Sequence, residues 1–110
     1  MTFDETVRQH RKMWNWIADE CIRQQRKVEK AEYPFEGERP WNLCYCCDYT
    51  RQLDAVGNCV HCPIFKYNCM FGDSPYWGFV MCLPDDWQRA SAFARAVAMM
   101  PERTKRDDDL

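Results

Sequence analysis

Histidine is almost absent from this chain, with His10 and His61 the two present. So few imidazoles limit hydrolytic metal chemistry, and there is no His-Glu-x-x-His run. The four glycines form no phosphate-cradling loop. The deaminase pairing of His-x-Glu with Pro-Cys-x-x-Cys is missing as well. Charge of one sign is not in excess, because 15 Lys and Arg face 17 Asp and Glu for a net charge of -2. That balance excludes a generally basic nucleic-acid coat and equally a strongly acidic DNA mimic. Long apolar runs are missing too, since stretches such as residues 79–83 are far too short to span a bilayer. The opening MTFDETVRQHRK is charged from residue 4 onward, with no signal-peptide core behind it. The expectation is a protein of the reducing cytosol, where cysteines point to metal more than to disulfides.

What the chain does have is thiols and aromatic rings. It carries eight cysteines and 15% aromatic residues in 110 positions. That length suits a single domain over residues 1–110, and the aromatic load is ample for its core.

The pattern predicts a mostly α fold. Residues 2–32 read as one long helix, opened by a Thr2–Glu5 capping box. Its apolar positions Phe3, Val7, Met13, Trp14, Ile17, Ala18, Cys21, Ile22 and Val28 recur at threes and fours. Pro34 closes the segment, because proline disfavours helical geometry in the residue before it. Residues 34–42 form a loop. Ser74 and Pro75 suit the start of a short helix over YWGFVMCL, with a strand as the alternative. A shorter C-terminal helix occupies 85–100, with Trp87, Ala90, Phe93, Ala94, Val97 and Met100 on its stripe. Residues 102–110 read as a mobile tail.

Between the helices lies a segment, 43–72, with six of the eight cysteines and little periodicity. Such a stretch needs a crosslink or a metal to hold one shape. It contains two Cys-x-x-Cys pairs, Cys44/Cys47 and Cys59/Cys62, separated by eleven residues. A tight Cys-x-x-Cys turn aims two sulfurs at one point, and two such turns complete a tetrahedron. Four thiolates leave no position open for water, so the predicted site is structural Zn2+, although spacing alone suits iron equally. Cys46 could replace one neighbour, and His61 or Cys69 could supply a fourth ligand. Cys21 and Cys82 sit in apolar patterns and read as small buried hydrophobes. His10, between Val7 and Trp14, reads as a partly buried or surface histidine. A Cys62–His61 nucleophile pair is disfavoured, because chain neighbours rarely reach the required geometry.

Arg23, Arg26, Lys27 and Lys30 form a basic cluster, with Arg23, Lys27 and Lys30 on one face of the predicted helix. With Tyr33 and Trp41 nearby they could meet phosphates and bases. The plainer reading is a salt-bridged helix end, where cations favour the dipole, or a protein-contact surface.

Several segments carry a resemblance: HRKMWNWIADE (10–20), RKVEKAEY (26–33), NLCYCCDY, NCVHCPI, YWGF and the closing MMPER. Together they resemble a group of small zinc-binding proteins encoded by phages and prophages of Gram-positive bacteria. Cys44, Cys47, Cys59 and Cys62 match the paired cysteines of that group, and Cys46 departs from it. Some small phage proteins of this size and host range are anti-CRISPR proteins. The resemblance therefore implies a non-enzymatic inhibitor of a host defence protein, the type II RNA-guided nuclease. It would act by protein contact that blocks guide or target DNA loading. The alternative is a nucleic-acid-binding regulator of phage genes.

Overall fold

The computed structural model describes residues 1–53, 62–64 and 72–102. Cys59, His61, Cys69 and the tail from residue 103 lie outside them. The described residues are mostly helical, with no strand among them. Helix α1 spans Phe3–Gln24, α2 Tyr45–Leu53, α3 Pro75–Val80 and α4 Trp87–Ala98, with short 3-10 turns at Lys30–Glu32 and Trp41–Leu43.

Helix α1 starts where the capping box predicts. The Glu5 N–H donates to Thr2 Oγ1 at 3.1 Å, and the Thr2 N–H donates to Glu5 Oε2 at 3.3 Å. Phe3, Val7, Met13, Trp14, Ile17, Ala18 and Cys21 are buried along one stripe, joined by Thr6 and His10. Ile22 departs from the predicted stripe and is 53% exposed.

The helix ends at Gln24, eight residues short of the predicted end at 32. Gln25 adopts the left-handed region with φ 53°, which costs an L-residue roughly 1–2 kcal/mol. Distant groups offset that cost. The Lys27 N–H donates to the Pro84 carbonyl at 2.9 Å, and the Val28 N–H donates to Cys21 Sγ at 3.3 Å. Pro34 thus follows a chain that has already turned, and Glu29 N–H donates to Glu32 Oε2 at 2.8 Å to hold the next short turn.

The chain divides into two compact units. One comprises Met1–His10, Phe35–Asn68 and Met100–Leu110, and the other Arg11–Pro34 and Cys69–Met99. In the first, Phe3 meets Tyr49 edge to face with ring centroids 6.0 Å apart, and Phe35 packs on Tyr45 at 6.0 Å.

The second unit is built on Trp14. Its indole takes the edges of Tyr76 at 5.7 Å and Phe79 at 5.0 Å. The YWGF run is therefore helix α3, with Ser74 before it and Pro75 at its first turn, rather than a strand. Helix α4 begins at Trp87 and ends at Ala98, inside the predicted 85–100. Its buried face is small: Ala90, Ser91, Ala94 and Ala98, with Val97. Small side chains let helices approach closely. Here the Ser91 hydroxyl reaches the Ala18 carbonyl at 2.9 Å, and Arg95 donates to Asn15 Oδ1 at 2.7 Å and to Asp19. Gly78 serves the same end, because a Cβ there would sit 2.4 Å from the Phe93 ring.

No helix among the described residues is long and apolar enough to cross a membrane.

Candidate metal centre

Pro40 enters the cysteine segment in an extended conformation, and the chain then turns sharply. Asn42 and Leu43 both lie in the left-handed region, at φ 60° and 48°. Asparagine tolerates that region, but leucine pays about 1–2 kcal/mol for it. The turn is held by Leu43 N–H to the Pro40 carbonyl at 3.0 Å, and by Trp41 N–H to Asp48 Oδ1 at 3.0 Å. Its product is Cys44, extended at φ −141°, placed immediately before α2.

Cys44 acts as the N-cap of α2. Its carbonyl accepts the Asp48 N–H at 2.9 Å, and its sulfur accepts the Cys47 N–H at 3.4 Å. That backbone bond fixes the orientation of the Cys44 sulfur at the start of α2. Cys46, one position before Cys47, is fully buried, whereas Cys47 is half-buried. Cys62 comes from a distant part of the sequence and is buried with Pro63 and Ile64.

Cys46 and Cys62 meet. The hydrogen bond with Cys62 is the strongest influence on the Cys46 thiol and, with burial and the neighbouring Cys44 and Cys62 and Cys47 sulfurs, pushes it well above the ordinary thiol range. Cys44, Cys46, Cys47 and Cys62 are thiols and not half-cystines. The donor chemistry suits a soft thiophilic ion such as zinc. Among the described residues, no three Cys, His, Asp or Glu side chains are arranged to hold an ion. Of the four predicted ligands, Cys44, Cys47 and Cys62 each lie near Cys46, and Cys59 lies outside the described residues.

The remaining thiols behave differently. Cys21 is a buried small hydrophobe as expected, and its sulfur also accepts the Val28 N–H. Burial raises its thiol above the ordinary range. Cys82 is half-buried rather than buried, and its sulfur donates to the Gly78 carbonyl at 3.3 Å. His10 is 1% exposed, deeper than its sequence position suggested.

The basic cluster is distributed among intramolecular partners. Because α1 stops at Gln24, Arg23, Lys27 and Lys30 share no helical face. Arg23 forks onto Glu20, with Nε at 2.6 Å and Nη2 at 2.5 Å from its carboxylate oxygens. Arg26 forks onto Glu32, and one of its nitrogens also reaches the Lys27 carbonyl at 3.2 Å. The Lys27 ammonium donates to the Val80 and Cys82 carbonyls, each at 3.2 Å, beside Glu29 at 3.4 Å and 4.9 Å from the Phe79 ring centre. Its side chain is only 8% exposed. Lys30 lies over the Tyr76 ring at 4.9 Å. These are the bonds of a structural helix end more than of a phosphate-binding surface.

A feature that sequence patterning did not foresee is the partner of Trp41. Trp41 is 42% exposed, and the Arg51 guanidinium stacks over it at 4.7 Å. The Pro-Trp-Asn turn signal marks the bend, but the pairing with Arg51 depends on α2 forming behind it.

A scan against protein-family models finds no match, and comparison with curated proteins and with solved structures finds none either.

Proposed function

We propose that this chain is a non-enzymatic binding protein held together by one structural zinc ion. It works in the cytoplasm of a bacterial host and inhibits a host defence protein, the type II RNA-guided CRISPR nuclease. It does so by protein contact that blocks guide or target DNA loading.

One observation supports the zinc reading above all: the buried Cys62 thiol lies against Cys46, beside Cys44 and Cys47. Thiols gathered from two distant stretches of a chain suit a shared ion better than an apolar core does. The paired cysteines Cys44, Cys47, Cys59 and Cys62 would hold it. Zinc bound by thiolates supplies a crosslink, on the order of 10 kcal/mol of apparent folding free energy.

The inhibitor reading rests on the resemblance to small zinc-binding phage proteins. The side-chain surroundings favour a protein partner over nucleic acid, since Arg23, Arg26 and Lys27 are occupied by carboxylates and carbonyls. Trp41 with Arg51 is a better candidate contact, because exposed Trp and Arg are the usual anchors of protein interfaces.

The test has two arms. Elemental analysis of the purified chain should find about one zinc per molecule, and its absence sinks the metal reading. Added to the guide-loaded or guide-free nuclease, the chain should bind and suppress DNA cleavage. Trp41→Ala should weaken that binding by more than about 30-fold while leaving zinc in place. Full cleavage at saturating chain, with zinc present, overturns the inhibitor reading alone.

A further inference from the structure

We propose that the bend between α3 and α4 is a dimer face, on which a second copy of this chain docks about a two-fold axis.

The apolar run at residues 79–83 has the composition of a core, yet only Phe79 in it is buried. Val80, Met81 and Leu83 are 36%, 63% and 67% exposed, and Pro84 continues the exposed run. Apolar side chains exposed singly are ordinary, whereas several together on one surface mark a binding face. This run is also held in place. The Lys27 ammonium takes the Val80 and Cys82 carbonyls at 3.2 Å, and the Lys27 N–H takes the Pro84 carbonyl at 2.9 Å. With those three carbonyls turned to Lys27, the side chains between them, Met81 and Leu83, are left to solvent. A surface fixed before binding loses little freedom on binding.

Beside the run lies a groove of about 390 Å³, lined by Gly78, Met81, Leu83 and Phe93, with Asp86 and Arg89 at the same opening. Two features select a second copy as its occupant. Exposed apolar side chains and a groove able to receive them share one face, so a two-fold axis lets Leu83 of each copy enter the groove of the other. Such an interface is self-complementary by construction. The charges agree with it. Asp86 and Arg89 stand side by side, 4.0 Å apart, with side chains 42% and 70% exposed. A matching partner must present the two signs in reverse order. A two-fold copy does so, bringing Asp86 of each chain against Arg89 of the other.

Sedimentation equilibrium of the purified full chain tests this, in reducing buffer so that no disulfide joins two copies. The wild type should show a concentration-dependent monomer–dimer equilibrium. Leu83→Glu should weaken the dimer by more than about 30-fold, and the exposure of Leu83 lets the fold tolerate the change. Asp86→Arg and Arg89→Asp should each weaken it by about 10-fold or more, because like charges then meet across the axis. Asp86 makes no side-chain cap bond to α4, so its reversal leaves that helix without a lost bond. An equimolar mixture of the two charge variants should dimerise again, since one copy then offers two cations and the other two carboxylates. No role confined to one chain produces that recovery. A wild type that stays monomeric at every concentration overturns the proposal, also where Leu83→Glu weakens binding to the nuclease instead. So does a dimer that survives Leu83→Glu, or a mixture no more dimeric than its components. The zinc and inhibitor readings are tested separately and do not depend on the outcome.

Discussion

The two units of this protein bury different chemistry. The unit built on Trp14 buries ring edges, with Tyr76 and Phe79 against the indole and the small face of α4 bonded to Ala18. Its bend at residues 80–84 is tied by Lys27, whose ammonium and backbone N–H satisfy three carbonyls. The unit that carries α2 has aromatic contacts too, but at its centre it buries thiols, Cys46 and Cys62, next to a turn with two left-handed residues. The lesson is that similar compactness can have different origins. One region is closed by its own side chains, while the other buries thiols that, on the proposed reading, would take a crosslinking zinc ion.

Metal removal should break that comparison most forcefully. A strong zinc chelator should abolish amide-exchange protection across α2, a loss on the order of 10 kcal/mol, while α4 keeps its protection. Uniform loss in both units, or none in α2, would falsify the distinction. Next in size comes Gly78→Ala. Alanine favours a helix by about 1 kcal/mol. However, its Cβ would stand 2.4 Å from Phe93. Overpacking of this kind costs about 1–3 kcal/mol, so urea unfolding should show net destabilisation, relieved when Phe93→Leu is added.

Lys27→Met sharpens the comparison at the bend. Methionine keeps an apolar stem but donates nothing to the Val80 and Cys82 carbonyls, so the unit should lose about 1–3 kcal/mol. Arg23→Ala, which removes an exposed ion pair, should leave the urea midpoint almost unchanged, because solvent screens the pair. The smallest effect is a pH dependence. Hydrogen bonds from Arg23 first, then Gln24, hold the Glu20 carboxyl at about 2 instead of the ordinary 4.5. A depressed carboxyl contributes stability that is present above about 4.5 and is lost as pH falls through about 2. Water screening keeps the slope shallow. Acid titration of Glu20→Gln should show a flatter curve in that window, and an unchanged curve would mean the pair contributes nothing.

Much of the fold was legible because it is local. The Thr2–Glu5 box, the stripe from Phe3 to Cys21 and the α4 stripe follow from spacing alone, since capping and burial act over a few residues. The end of α1 was not legible. Nothing between residues 25 and 32 resembles a helix breaker, and the turn at Gln25 is bound to Pro84, almost sixty residues away. With that turn went the shared face of Arg23, Lys27 and Lys30, whose cations found carboxylates, carbonyls and rings instead. The site was legible in part. Spacing singled out Cys44, Cys47, Cys59 and Cys62 and left Cys46 as a possible replacement for one neighbour, but it could not show that Cys46 is the thiol buried against Cys62.

The amino-acid sequence by itself determined a mostly helical chain with a thiol-rich middle, because periodicity and residue type act through neighbours three or four positions apart. Tertiary structure alone decided where α1 stops, which cations are occupied and which α2 thiol faces Cys62. Each of those depends on a partner distant along the chain, and no local pattern encodes the direction from which it arrives.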